Sequence, residues 1–233
     1  MSHILNAVHS ALELLFRLDP ELLRIIALSL AVSFSAAAAA SAVGLPVGAA
    51  LAVARFRGRY LLIVLANALF GLPPVVVGLG LYLVLSRFGP LGMLKILFTP
   101  TAMILAQFLL ALPIVVAISH RTMSGVWQEY GDALLVDGLG RLQSVPHVLA
   151  IGRPGALTAV LAGLGRSISE VGAILIVGGN IAGYTRTMTT AIALETNEGN
   201  FAFALALGAV LIAISITVSI AAFQIEARFR KFT

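Results

Sequence analysis

Long apolar stretches, separated by short polar ones, make up most of the chain. A helix needs roughly 20 mainly apolar residues to cross the hydrocarbon core of a bilayer. Five stretches meet that length. The pattern therefore predicts an all-α, polytopic membrane protein with five transmembrane helices in a single domain, residues 1–233. The predicted spans are about 22–54, 60–85, 99–120, 154–177 and 201–223.

Glycine and proline interrupt three of these spans. Gly44 and Gly48 stand four apart in span one, a spacing typical of helices that approach each other closely in lipid. The sequence Gly71-Leu72-Pro73-Pro74 predicts a bend in span two, because proline removes a main-chain donor. Pro113 predicts a break in span three, which is expected to end at Arg121.

One polar stretch, residues 129–155, stands out from the apolar background. Within it, Asp132 to Val136 is predicted to form a short helix, Gly138 and Gly140 to end it, and Val145 to Ile151 to begin another. We call residues 129–153 the elbow. A helix–glycine–helix elbow between spans has a shape that can dock onto a partner outside the membrane.

Span four carries two opposite charges, Arg166 and Glu170, which a continuous helix places four residues apart on one face. Small residues occupy another face. Isolated charges at that depth cost about 2.5–3.5 kcal/mol each, so they pair or face a cavity. Two interpretations stay open: a structural ion pair, or an arginine beside the path of an anion with Glu170 tempering its charge. The small-residue face comprises Thr158, Ala162, Gly165, Ser169 and Gly172.

A second polar run follows span four, with Asn180, Thr185, Arg186 and Thr187, and leads into a predicted short helix over 188–194. Hydroxyl and guanidinium groups are donors that suit a tetrahedral anion. The same run is equally suited to sealing the outer mouth or docking a binding protein. Glu195 and Glu198 disfavour permanent retention of an anion there, which favours docking or gating.

Composition and charge support the membrane assignment and set its orientation. Hydrophobic residues make up 60% of the 233 residues and charged residues 11%, whereas soluble domains are about half apolar and a quarter charged. The net charge is +5, but the basic residues lie at span ends and in the elbow, which argues against a nucleic-acid-binding surface. Nine basic residues fall on one side of the membrane and five on the other. Because the cytoplasmic side carries the excess of basic residues, this count predicts an external N-terminus, a cytoplasmic C-terminus and a cytoplasmic elbow. Residues 1–20 are predicted to contain an interfacial helix over 3–16.

The sequence offers no catalytic or metal-binding constellation. It has no cysteine, four scattered histidines, no phosphate-binding G-x-x-x-x-G-K-[ST] loop and no G-x-S-x-G elbow. We therefore expect a protein that is not an enzyme and that holds neither cofactor nor metal.

Four segments resemble the permeases of ABC importers for tungstate and molybdate. They are Asp132-Ala133-Leu134 with Gly138, then Arg153-Pro154-Gly155, then Ser169-Glu170-Val171-Gly172-Ala173, and the external-loop sequence GGNIAGYTRTMTTAIALETNEGNF. The last is the most specific, and the resemblance extends over about residues 22–226. Two departures stand in the elbow: the family usually has Glu at the position of Asp132, and a Leu-Pro pair where this chain has Leu149-Ala150 or Ala150-Ile151.

The resemblance implies a type I importer permease of a prokaryotic inner membrane, which forms a homodimer in the bilayer. Two separate ATPase subunits would bind ATP and Mg²⁺ and hydrolyse ATP. An extracytoplasmic binding protein would deliver the oxyanion, with tungstate as the first candidate and molybdate as the second. The implied ATPase-coupling residues are Asp132, Ala133, Leu134, Asp137, Gly138, Leu139 and Gly140. The implied pathway or gate residues are Arg166, Ser169, Glu170, Asn180, Thr185, Arg186 and Thr187.

A different class of transporter stays open at this point. A self-sufficient channel or secondary transporter would use Arg166 and Glu170 as a coupling pair and would need no ATPase. Inverted internal repeats favour that class, and none is visible in the sequence. An ATP requirement for uptake separates the two hypotheses.

Overall fold

A computed structural model describes residues 9–11, 13, 14, 16 and 19–230. The predicted interfacial helix over 3–16 lies largely outside these residues. The described residues form α-helices and two short 3-10 turns, with no strand among them, which confirms the all-α class. The helices are α1 (Pro20–Val53), α2 (Arg59–Ala68), α3 (Pro74–Leu85), α4 (Pro100–Val136), α5 (Val145–Ile151), α6 (Arg153–Ile168), α7 (Gly172–Gly178), α8 (Met188–Glu198) and α9 (Phe201–Arg230).

Helices α1, α4 and α9 are long and apolar enough to cross a membrane. Two bent pairs also qualify, α2 with α3 and α5 with α6, so the described residues contain three spans, or up to five if each pair counts as one. That upper number equals the five predicted from the sequence, but the α5–α6 pair covers 145–168 and includes part of the elbow, whereas the predicted fourth span covers about 154–177. The two pairs bend by 103° and 87° respectively.

The bend in span two lies at the prolines, as predicted. A 3-10 turn over Leu69–Gly71 ends α2, and α3 begins at Pro74. Leu72 has an extended backbone (φ −54°, ψ 126°), the conformation that a following proline imposes. Neither Pro73 nor Pro74 donates a main-chain hydrogen bond, and a proline also disfavours the helical conformation of the residue before it, so two adjacent prolines favour a break here.

Span three differs from its prediction in two respects. Helix α4 continues through Pro113 without a break, and it runs past Arg121 to Val136. A charged residue marks the end of the apolar span but does not end a helix, and α4 meets no helix terminator until Gly138. The predicted separate helix over Asp132 to Val136 was therefore wrong: these residues are the last turns of α4.

Contacts within the chain divide it into two compact units. The first contains the described residues of 1–35, 74–107 and 168–218. The second contains those of 36–73, 108–167 and 219–233.

In the first unit, the start of α1 packs with α8 and α9. Leu22, Ile25, Met188 and Leu207 are buried together there. Gly78 of α3 lies so close to α7 that an added Cβ would be 2.8 Å from the Cα of Ala173. Small residues thus allow α3 and α7 to contact through their backbones.

In the second unit, α1 packs on α4 through the two glycines singled out in span one. A Cβ at Gly44 would lie 2.8 Å from Cγ1 of Val115. A Cβ at Gly48 would lie 2.6 Å from Cβ of Ser119 and 2.7 Å from the main-chain oxygen of Val116. The packing role predicted for this glycine pair is confirmed.

These distances predict the effect of a single methyl group. Gly48→Ala should lower the free energy of unfolding by about 1–3 kcal/mol, the usual cost of overpacking, because backbone atoms of α4 must move. Gly80→Ala is the matched control, since a Cβ there meets nothing within 4 Å. Unfolding in mixed detergent micelles, followed by circular dichroism, measures both. Equal stability of the two variants would contradict the packing assignment.

Candidate functional site

The first arm of the elbow is the end of α4, which has a well-defined helix stop. Gly138 has φ +86°, a conformation that favours glycine. Its N–H donates to the main-chain oxygen of Leu135 (3.1 Å), and the N–H of Leu139 donates to that of Leu134 (3.2 Å). These two bonds form a Schellman motif, which satisfies carbonyls that would otherwise lack partners. The predicted stop at Gly138 is confirmed.

The second arm of the elbow is α5, which has the predicted bounds Val145–Ile151. Between the arms, the N–H of Gly140 donates to Oε1 of Gln143 (2.8 Å), and Oγ of Ser144 donates to the main-chain oxygen of Gly140 (3.1 Å). Val148 is fully buried beside Met123. Local hydrogen bonds and one apolar anchor therefore give the elbow a defined shape.

Arg141 attaches the elbow to two other elements of the same unit. Its Nη1 donates to the main-chain oxygen of Val53 at the end of α1 (3.1 Å). Its guanidinium carbon lies 5.5 Å from the ring centroid of Trp127, a cation–π contact with α4. The sequence showed Arg141 only as one charge in the elbow, because a contact 88 residues away has no local signal.

The exposed surface of the elbow is partly apolar. Val136 is 86% exposed and Leu142 65% exposed, while Asp132, Ala133, Asp137 and Gly138 are also exposed. Leu134 and Leu139 are half-buried. Val136 and Leu142 were not among the predicted coupling residues. Two apolar residues in a polar segment are the sequence signal that could have indicated them.

The end of α6 overturns the continuous helix predicted for span four. Helix α6 ends at Ile168 and α7 begins at Gly172, so Arg166 and Glu170 do not share one helical face and the small-residue stripe does not extend beyond Gly165. Glu170 is buried, and its Oε1 accepts a hydrogen bond from the N–H of Ala173 (3.1 Å). A side chain that takes up a main-chain donor in this way competes with helix continuation. Ser169 is exposed and Arg166 half-buried.

The loop over 179–187 is held by its own threonines. Thr185 is fully buried, and its Oγ1 donates to the main-chain oxygen of Gly178 (2.6 Å) and accepts from the N–H of Ile181 (2.9 Å). Thr187 and Thr190 form a capping box at the start of α8. The helix predicted over 188–194 is confirmed and extends to Glu198.

Arg186 connects the loop to α1 and α8, and Thr189 connects the start of α8 to the break between α6 and α7. Nη1 of Arg186 lies 3.7 Å from Oε1 of Glu21 and 3.8 Å from Oε1 of Glu195. The Oγ1 of Thr189 donates to the main-chain oxygen of Glu170 (2.8 Å). Asn180 has φ +50°, and its Oδ1 is buried with no hydrogen-bond partner among the described residues.

The structure therefore gathers the predicted residues into two groups. The elbow residues lie together with Arg166 in the second unit, while Ser169, Glu170 and the loop residues lie in the first. Within the first unit, Glu170 and the loop are joined through Thr189. The hydroxyl groups of Thr185 and Thr187 already have hydrogen-bond partners inside the chain.

Apolar helices of spanning length and a shaped, exposed elbow define a polytopic helical membrane protein. The chain belongs to the family of binding-protein-dependent transport system inner membrane components, which matches residues 42–231. It is thus a permease component of an ABC transport system, and its relatives are transport permeases rather than enzymes.

Three relatives are similar over most of their length. A probable anion ABC transporter permease protein of Haloferax volcanii is 44% identical, over 77% of this chain and 79% of its own. The tungstate uptake system permease protein TupB of Peptoclostridium acidaminophilum is 37% identical over 86% and 88%, respectively. The TupB protein of Campylobacter jejuni is 35% identical over 87% and 84%.

The geometry of the loop predicts a stability effect at Thr185. Thr185→Val keeps the side-chain shape but leaves the oxygen of Gly178 and the N–H of Ile181 without their partner. The free energy of unfolding should fall by about 1–3 kcal/mol, the cost of unsatisfied buried groups. Thr158→Val is the control, because that exposed hydroxyl only bonds to Pro154 of its own helix. Equal unfolding curves for the two variants would show that the Thr185 bonds do not hold the loop.

Proposed function

We propose that the chain is the membrane-spanning permease of an ATP-driven importer for an oxyanion, with tungstate as the first candidate and molybdate as the second. The observation that carries this proposal is the similarity to two tungstate permeases at 37% and 35% identity over more than four-fifths of this chain. The relative described as an anion permease supports the same substrate class.

The proposed assembly contains two copies of this chain, two ATPase subunits and an extracytoplasmic oxyanion-binding protein. ATP and Mg²⁺ would be bound by the ATPase subunits. The chain would lie in the inner membrane of a prokaryote, with its N-terminus outside and its C-terminus and elbow in the cytoplasm. The family description itself names dependence on a binding protein.

In this assembly the elbow is the part that receives the ATPase motion. Exposed Val136 and Leu142 supply apolar area for docking, and Asp132, Ala133 and Asp137 are exposed in the same segment. The bond of Arg141 to Val53 and the packing of Val148 on Met123 would pass a displacement of the elbow to α1 and α4. A lever needs a fixed shape, and the Schellman motif at Gly138 supports one.

The proposed pathway or gate contains Arg166, Ser169, Glu170, Asn180, Thr185, Arg186 and Thr187. Thr185, Thr187 and Glu170 would act by holding the loop and the α6–α7 break in place, since their polar atoms bond within the chain. Arg166 would contribute positive charge that attracts the passing oxyanion.

Reconstitution tests the proposed function directly. The chain, its ATPase and its binding protein are placed in proteoliposomes, and tungstate and molybdate uptake is measured with ATP and with a non-hydrolysable analogue. We expect uptake of tungstate that needs both ATP hydrolysis and the binding protein. Uptake by the chain alone would establish a channel or secondary transporter and end the proposal.

Gly138→Trp tests the elbow as the coupling element. Tryptophan at φ +86° costs about 1–2 kcal/mol of backbone strain and adds bulk at the proposed docking surface, so ATPase co-purification and uptake should both be lost. Gly199→Trp is the matched control, because Gly199 also has a left-handed φ (+81°) and open space around its Cα. ATPase binding that survives Gly138→Trp as well as it survives Gly199→Trp would exclude this role.

Arg166→Gln tests the proposed pathway charge. Uptake should fall about ten- to a hundredfold, as expected when charge-assisted hydrogen bonds to an anion are lost, while ATPase co-purification is retained. Arg166→Lys keeps the charge and should retain more activity. Dissociation of the ATPase from Arg166→Gln would count against a pathway role.

A further inference from the structure

A basic cavity of about 240 Å³ lies in the second unit, beside the end of α1. Three arginines line it: Arg55 from the turn after α1, Arg59 from the start of α2, and Arg141 from the elbow. None of its lining residues is acidic. The remaining lining residues are Ala52, Val53, Ala54, Ser124, Trp127 and Gln128.

Two of the three guanidinium groups are fixed in position. The Nε of Arg59 donates to the main-chain oxygen of Leu51 (2.6 Å), and Nη1 of Arg141 donates to that of Val53 (3.1 Å). Each guanidinium has five N–H donors, so these bonds leave most donors of both groups for another acceptor. The contact with Trp127 further orients Arg141.

No acidic side chain lines the cavity to balance its three arginines. The carbonyls at the end of α1 act as about half a negative charge, whereas the three arginines bring three positive ones. Arginine groups that converge in this way favour a bound anion with several acceptor oxygens. The volume holds a tetrahedral oxyanion with some of its water, since a water molecule occupies about 30 Å³ in the liquid.

We infer that this cavity binds a tetrahedral oxyanion group, either the phosphate of an anionic phospholipid or a free inorganic oxyanion. The bound group would bridge the α1–α2 connection and the elbow, because Arg55 lies in that connection, Arg59 begins α2 and Arg141 belongs to the elbow. The proposed function determines only the side of the membrane on which this site lies, because it assigns the elbow to the cytoplasm. Binding itself is independent of the transported substrate.

The test uses the purified full chain, without ATPase, and compares Arg55→Gln with Arg57→Gln. Both arginines are exposed in the same turn, but only Arg55 lines the cavity. No hydrogen bond of Arg55 occurs in the described part of the chain, so its replacement leaves the known helix-end contacts in place. The free-anion probes are sulfate, phosphate and tungstate against chloride at equal ionic strength, read as a thermal shift. The lipid probe is phosphatidylglycerol against phosphatidylcholine in nanodiscs, read as retained lipid by native mass spectrometry.

We expect at least one probe to bind the wild type and Arg57→Gln equally, and to bind Arg55→Gln about tenfold more weakly, the effect of losing one charge-assisted hydrogen bond. Binding of the inorganic ions identifies a free-anion site, and selective retention of phosphatidylglycerol identifies a headgroup site. Absence of binding by every probe, or equal weakening in Arg57→Gln, overturns the inference. Unchanged probe binding by Arg55→Gln also overturns it, because Arg55 would then take no part in holding the anion. Since no transport is measured, failure here leaves the uptake experiment unaffected.

Discussion

Main-chain groups at helix ends need hydrogen-bond partners, and in an apolar environment water does not supply them. This constraint determines where the chain places many of its few polar side chains. Arg59 and Arg141 donate to the last carbonyls of α1, and Glu170 accepts from the first turn of α7. Thr185 accepts and donates in the loop that follows α7.

The same constraint gives several residues a structural role in addition to any role in transport. Glu170 and Thr185 were singled out as groups for a passing anion, and both have polar atoms engaged at helix ends or in turns. Substitutions there change the shape of the loop before they change its charge. Arg55 is a position where a neutral side chain reports more directly on attraction of an anion, with Arg57 as its control.

The sequence was sufficient for the features that depend on local chemistry. The bend at Pro73-Pro74, the stop at Gly138, the bounds of α5 and the close packing at Gly44 and Gly48 all follow from residues within a few positions of each other. It was insufficient where distant contacts decide. Helix α4 passes through Pro113 without a break, and the helix break after Ile168 lies beside the buried carboxylate of Glu170. Hydrophobic periodicity alone has no means of detecting either.

The position of Arg141 connects the proposed coupling with the inferred anion site. Its bond to Val53 and its contact with Trp127 join the elbow to α1 and α4, and the same guanidinium lines the cavity with Arg55 and Arg59. Three like charges in one cavity repel each other. Without a bound anion, this repulsion weakens the attachment of the elbow through Arg141. A bound oxyanion removes the repulsion and tightens the attachment. Coupling through the elbow would then depend on the occupancy of this cavity, because a loosely attached lever moves without displacing the helices behind it.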